Sequence, residues 1–327
     1  MLIKNLLISS VSTLIFLLTC SSGRAQQNEQ MTDSLLLEKI KNIDVSLNSI
    51  DETDENLFLN SVSFESFYDD LSPAGDWIQI TKEEIDKDLK DGEGQAYSSE
   101  IAPDAEFIFI WHPTVTEEGW RPYTNGRWEY TANGWMWVSN YTWGWAVFHY
   151  GRWWNSSKYG WVWLPGYVWA PAWVQWRITD NHIGWCPLTP NAKWNAESGI
   201  TDVNYTYRNR DADWVFVEKN NFFNNLTGTG IIKTSENGDL ITRSKTILSI
   251  NSDNNGIINN GPDVKDIESK TGKPVKQKVI NFWNIKGKPL VGDNDISVYK
   301  ENFKKLEYDS NGKVTNYSKP RIFKRSE

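Results

Sequence analysis

Asn125-Gly126-Arg127-Trp128 recurs 25 residues later as Tyr150-Gly151-Arg152-Trp153, and Asn133-Gly134-Trp135-Met136-Trp137 recurs as Tyr159-Gly160-Trp161-Val162-Trp163. A fixed period of this length marks a repeated supersecondary unit. Trp143 has an echo at Trp169, and Gly144-Trp145 a fainter one at Gly184-Trp185. The unit reads as a hairpin, because Asn-Gly tolerates the positive φ that a tight turn demands. Asn125-Gly126 and Asn133-Gly134 are therefore expected to bracket a strand over 127–132. Trp128 and Tyr130 would share one face and Arg127 and Glu129 the other. Trp143, Trp145, Val147 and His149 form the longest period-two series, with Gly144 leaving room for a close neighbour. Pro165-Gly166 marks another turn. The stretch predicts a mainly β fold: an antiparallel meander or hairpin repeat of about six to eight short strands, rich in Trp. Barrel closure and an open sheet remain equally compatible with it.

Sixteen of the 19 Trp lie between Trp111 and Trp194. Upstream, 67–73 is a short apolar stretch ending in a turn, 77–80 reads as a strand, and 81–106 as an acidic insertion. Downstream, 203–207, 214–217, 275–282 and 296–299 read as strands, and 231–234 could pair with 240–242 across Asn237-Gly238. Pro262-Asp263 and Thr271-Gly272 punctuate a helix over 264–270. The chain divides into a signal peptide (1–25), an acidic tether (26–62, with one possible helix at 34–43) and a Trp-rich β-repeat domain (63–200). A β-rich extension with one short helix (201–300) forms a smaller α+β part, and a basic tail (301–327) carries a hairpin signal at Asn311-Gly312.

Lys4 precedes an apolar run over 6–18, and Gly23-Arg24-Ala25 follows it, which is the layout of a secretory signal. The run is shorter than the roughly 20 residues that span a bilayer core. Cleavage after Ala25 fits best; lipidation at Cys20 and an uncleaved anchor are the alternatives. With Cys20 removed, Cys186 stands alone, which excludes an internal disulfide and a Cys-based metal cage. Mean hydropathy is −0.55. The formal charge is −8, a balance that argues against nucleic acid, whose binding rests on Lys and Arg. The acids concentrate in 29–106, which holds 21 of them against 5 Lys. Such a run is a solvated leader, or an arm that folds on a basic partner or on the chain's own C-terminal half.

Each Trp can bury up to roughly 250 Å², worth several kcal/mol at about 25 cal/mol per Å². Most of them are expected in the core. A few could instead form an exposed shelf on which sugar rings stack, with Trp135, Trp137, Trp143, Trp145, Trp161 and Trp163 as candidates. Arg127 and Arg152, each preceding a Trp, could stack on rings or meet an acidic glycan. Catalysis finds little support: His112, His149 and His182 are far apart in sequence, and no zincin, nucleophile-elbow or phosphate-loop motif is present. Asp211 with Asp213, on one strand face, and Asp69 with Asp70, on opposite faces, are carboxylate pairs that could do acid/base work in a cleft, although such pairs are common by chance. The calcium-loop start at Asn251 lacks its terminal Glu.

The runs Gly119-Trp120-Arg121-Pro122-Tyr123, Trp143-Gly144-Trp145-Ala146, His149-Tyr150-Gly151-Arg152-Trp153, Gly160-Trp161-Val162-Trp163-Leu164-Pro165-Gly166 and Pro171-Ala172-Trp173-Val174-Gln175-Trp176 closely resemble a family of exported bacterial Trp-rich proteins classed as a domain of unknown function. The likeness extends over roughly 67–279. Cys186 stands where that family suggests Ala, and Thr189 where it suggests Pro. The resemblance implies export and domain identity, and no catalytic residue. The expectation is a non-enzymatic envelope protein, periplasmic or outer-membrane associated or extracellular, in a Gram-negative host. It would need no cofactor and no metal. Its partner would be an envelope glycan or another envelope protein, with membrane contact only through a lipid anchor. A glycan- or peptidoglycan-binding module and a carboxylate-dependent glycoside hydrolase are the competing readings.

Overall fold

Three hairpins built by the repeat organise the protein, and each belongs to a different sheet. The computed structural model describes residues 65–89, 108–190, 192, 194–195, 199–200, 210–247, 250–253, 256–303, 310 and 324–325, all within a unit spanning 51–327. In chain order the elements begin α1 (Glu65–Leu71), β1 (Gly75–Ile80), α2 (Lys82–Leu89), β2 (Ile108–Pro113), β3 (Asn125–Thr131), β4 (Gly134–Ser139), α3 (Gly144–Val147), β5 (Arg152–Ser156), β6 (Gly160–Leu164), β7 (Val174–Ile178) and β8 (His182–Pro187). There follow β9 (Trp194–Asn195), β10 (Gly199–Ile200), β11 (Val215–Glu218), β12 (Leu226–Thr227), α4 (Asn237–Arg243), β13 (Lys245–Ile247), β14 (Ile250–Asp253) and β15 (Gly256–Asn259). The series closes with α5 (Val264–Thr271), β16 (Val279–Trp283), β17 (Leu290–Val291), β18 (Asp295–Tyr299) and β19 (Lys324–Arg325).

The first sheet runs β19-β1-β2-β6-β5, the second β11-β8-β7-β13, the third β12-β3-β4-β15-β14 and a fourth β16-β18-β17. The architecture is mainly β, and no sheet among the described residues closes into a barrel. Each repeat hairpin sets one Trp directly across from another: Trp128 from Trp137, Trp153 from Trp163, and Trp176 from Trp185. All six indoles are buried in one shared aromatic core. Cross-strand aromatic pairs are strong units of sheet stabilisation, so the repeat places the same device three times around one centre. The third copy, β7–β8, has diverged too far in sequence to show more than the echo at Gly184-Trp185.

Indole N–H groups tie the core to the loops that cap it. Trp111, Trp153, Trp163 and Trp185 donate to the carbonyls of Leu71, Val147, Tyr150 and Tyr123 at 2.8–3.0 Å. A buried indole N–H usually finds such a partner, and here the acceptors sit at the ends of α1 and α3 and in the loops at Tyr123 and Tyr150. At the tip of β3–β4, Gly134 has φ +77°, and an added Cβ would stand 2.0 Å from the Asn259 carbonyl oxygen. That close approach lets β15 pair beside β4.

Several sequence expectations change. The 143–149 series is not a strand: 144–147 form one helical turn, with the Phe148 amide bonded to the Gly144 carbonyl. The glycine is required all the same, because a Cβ there would lie 2.4 Å from Ser139 Cβ. Asn125-Gly126 opens β3 and pairs with β12 instead of turning. Asn237-Gly238 begins α4, where the Asn237 amide reaches the carbonyls of Asp211 and Trp214, so no hairpin forms across it. The acidic stretch after β1 contains α2, started by a capping box in which Thr81 and Glu84 exchange side-chain-to-amide bonds. The helix expected after Pro262 is present as α5, with Asp263 accepting from the Asp266 amide and Gly272 ending it. Strands from 215–259 complete the second and third sheets. The readings at 1–25, Cys20, 34–43, 203–207 and Asn311-Gly312 lie outside the described residues.

Candidate functional site

The residues singled out in the sequence are mostly core. Trp135, Trp137 and Trp163 have no exposed surface, and Trp143, Trp145 and Trp161 keep 8% or less. The helical turn α3 sends Trp143 onto Tyr141, stacked at 4.2 Å, and Trp145 toward Phe67 and Tyr299. In a helix, residues two apart point to different sides, so these indoles cannot form a coplanar row. The exposed-shelf expectation for all six is therefore corrected: a surface carrying so many indoles would bind itself, and the fold packs them inside. Arg152 is buried too. Its guanidinium lies 3.7 Å from the Trp173 ring centroid and donates to the carbonyls of Ala192 and Gly151. Arg127 pairs with Glu129 at 2.8 Å on the shared strand face, and Glu129 also meets Lys278.

The acid/base candidates separate as well. Asp211 and Asp213 sit in a 3-10 turn, not on a strand; Asp211 is exposed while Asp213 is buried. Asp213 accepts from the Asn155 side chain and the Arg210 amide. Burial pushes its carboxyl above the usual range, against those bonds. Asp70 forms a 2.6 Å ion pair with Lys286, while Asp69 is exposed. His112 meets the Trp161 carbonyl, His149 the Ala170 carbonyl and His182 the Thr179 hydroxyl. Burial lowers the His149 imidazole to about 4. Burial also drives the Cys186 thiol well upward, as suits a small apolar core residue. No group of three His, Cys, Asp or Glu placed to hold a metal occurs among the described residues.

Two features that the sequence did not announce remain open to solvent. The first is a cleft of about 330 Å³ between α2 and the β5–β6 turn. Ile80, Ile110 and Trp154 lie beneath it and are themselves buried. Asp88 on α2 spans it, accepting from the Trp154 indole at 3.3 Å and the Ser157 hydroxyl at 2.7 Å. Burial raises the Asp88 carboxyl, but the bonds from Ser156, Ser157 and Trp154 outweigh it and hold the group below its usual range. Only the Thr81–Glu84 capping box could have located α2, and nothing in the sequence joins that helix to the hairpin. A second cleft of about 290 Å³ is lined by Asn181, His182, Glu218, Lys219, Asn220 and Lys270.

The second feature is the fourth sheet. Among the described residues, five large apolar side chains are exposed: Val115, Val279, Phe282, Ile285 and Leu290. Four of them lie between Val279 and Leu290. The register places Val279 and Leu290 on the same face, through Asp295 and Ser297 of β18. The opposite face buries Ile296 and Val298. Exposed Lys276, Lys288 and Lys300 flank the apolar positions, and Lys300 lies over the Phe282 ring.

Residues 95–192 match the model of a family of unknown function, DUF6600. The matched segment contains all three repeat hairpins, from β3 to β8, and stops short of the strands that complete their sheets. No curated protein and no solved structure matches the chain. Among the described residues no helix is long and apolar enough to cross a membrane.

Proposed function

We propose that this is a non-enzymatic exported protein of a Gram-negative-type cell envelope, acting as a structural or interaction module that binds another envelope protein. It works in the periplasm, or associated with the outer membrane or the cell exterior. Export is supported by the charged start, the short apolar run and the small-residue exit at 23–25. The interaction role is carried by one observation: in a chain that buries its Trp so completely, Val279 and Leu290 stay exposed on the outer face of the fourth sheet, with exposed Phe282 and Ile285 in the same segment and exposed Lys beside them. Large apolar side chains left exposed close together mark an interaction site. Carboxylate chemistry is disfavoured because Asp213 is committed to the Asn155 and Arg210 bonds.

The test is site-specific photo-crosslinking in cells producing the full chain. A probe at Leu290 is expected to give one discrete adduct in the envelope fraction, and a probe at exposed Glu218 none. Protein confined to the cytosol, or equal adducts from both positions, removes this reading. A second reading, binding of an envelope glycan, is favoured by the cleft of about 330 Å³ between α2 and the β5–β6 turn, which charged and hydroxyl side chains rim.

A further inference from the structure

We infer that the free edge of β16 receives an extended, acidic segment of another protein, which adds to the fourth sheet as one more strand. The inference rests on the protein-interaction reading above and names the partner's chemistry and the way it is held. β16 stands at one end of the order β16-β18-β17. On its other side it meets only the end of β3: the Lys278 amide donates to the Tyr130 carbonyl, and the Ala132 amide donates to the Lys278 carbonyl. There β3 ends and turns back into β4. Along a strand, the main-chain groups of successive residues face opposite neighbours. Val279 donates to the Asn294 carbonyl, toward β18. Ile280 and Phe282 therefore present amide and carbonyl to the side that β3 has left. Among the described residues neither has a main-chain partner there.

The side chains point to the same conclusion. Phe282 pairs in register with Val298 and so lies on the face that buries Ile296 and Val298. Its ring meets Trp169 edge-on at 4.9 Å. It still keeps 48% of its surface exposed, because it stands at the border of the sheet. A strand laid along β16 would cover it from that border, so the partner carries apolar residues at alternate positions. Soluble proteins usually blunt such an edge with Pro or charge, and 279–283 contains neither.

Charge selects the partner. From Lys273 to Lys300 there are six Lys and two Asp, on a chain of formal charge −8. Lys278 and Lys286 are committed to Glu129 and Asp70, while Lys273, Lys276, Lys288 and Lys300 are exposed. Lys276 lies just before the free edge, and Lys300 lies over the Phe282 ring. A second copy paired edge to edge would set these ammonium groups against their own kind. Acidic residues on either side of an apolar strand complement them.

The probe is the end-capped peptide Glu-Glu-Thr-Val-Ser-Val-Thr-Val-Glu-Glu, added to the full chain. Fluorescence anisotropy reads its affinity and amide hydrogen exchange its place. Saturable binding is expected, with exchange at the Ile280 and Phe282 amides slowed about tenfold. Of two forms N-methylated at alternate residues, one for each phase, one should bind about tenfold more weakly than the other. A peptide with Lys in place of Glu should lose about tenfold as well, and Lys276→Glu with Lys300→Glu should reverse that preference. Equal affinity of the two N-methylated forms would overturn strand addition. Equal affinity of the acidic and basic peptides would overturn the acidic partner. Slowed exchange elsewhere, or no binding, would overturn the edge. Protection already present in the chain alone would overturn the inference too, naming a second copy where it rises with concentration and the chain's own acidic 26–62 stretch where it does not. A Leu290 adduct without peptide binding removes strand addition and keeps the interaction role. Peptide binding by a protein confined to the cytosol removes the envelope reading and keeps strand addition.

Discussion

The aromatic centre and the fourth sheet are both made of short strands with apolar residues, yet they treat those residues in opposite ways. In the centre, Trp128 and Trp185 each pack against the other and against Trp137 and Trp176, with ring centroids 4.5–6.3 Å apart, and all four are buried. In the fourth sheet, Ile296 and Val298 are buried, while Val279 and Leu290 keep 58% and 59% of their surface exposed. The difference teaches that apolar character locates the core only where a second layer exists to cover it. The centre has three sheets converging; the fourth sheet has the core behind it and solvent in front. Exposed apolar groups that contribute nothing to the core are the ones a partner can use.

The largest effect that would sharpen this contrast comes from truncating the centre. Trp128→Ala or Trp163→Ala should cost about 3–5 kcal/mol, read as a lower denaturant midpoint at unchanged slope. A loss below about 1 kcal/mol would mean the aromatic core is not the main source of stability.

Acid should act on the same centre. Burial lowers the folded His149 imidazole to about 4, whereas the unfolded group sits near 6.5. Between those values the unfolded chain binds more protons, so stability is complete above pH 6.5 and declines as pH falls toward 4. The loss should reach about 3 kcal/mol. His149→Leu should flatten that part of the pH profile; an unchanged slope would show that other groups cause it.

A smaller effect tests how firmly the C-terminal extension is joined to the centre. Asp263 caps α5, whose Asp266 pairs with the buried Lys219 at 2.6 Å. Asp263→Ala should lower stability by about 1 kcal/mol. If it loosens only α5, hydrogen exchange will rise there without any shift of the global midpoint.

The smallest effect belongs to the outer face. Leu290→Ser and Val279→Ser should change stability by no more than about 0.5 kcal/mol. A loss comparable to that of Trp128→Ala would place those residues in the fold and undo the comparison.

The cap at Asp263 and the face shared by Arg127 and Glu129 were legible from sequence, because each is set by residues a few positions apart. The Trp143–His149 series was misread for a related reason. Alternation of apolar residues matches a strand, but when both sides of a segment are buried, periodicity no longer distinguishes a strand from a helical turn. The cleft was not legible at all, since Asp88 and Trp154 are 66 positions apart and neither belongs to a motif.

By itself the sequence determined the unit of construction: a hairpin with a bulky indole on each strand, repeated at a period near 25 residues. That follows from local turn chemistry and side-chain alternation, which need no distant partner. Only the tertiary structure decided that the hairpins join three sheets instead of one, that their Trp turn inward together, and that the solvent-facing chemistry falls to α2 and the fourth sheet. Those outcomes depend on which strands from 75–113 and 215–259 dock beside each hairpin. Such long-range pairing is governed by burial over the whole chain and leaves no local signature.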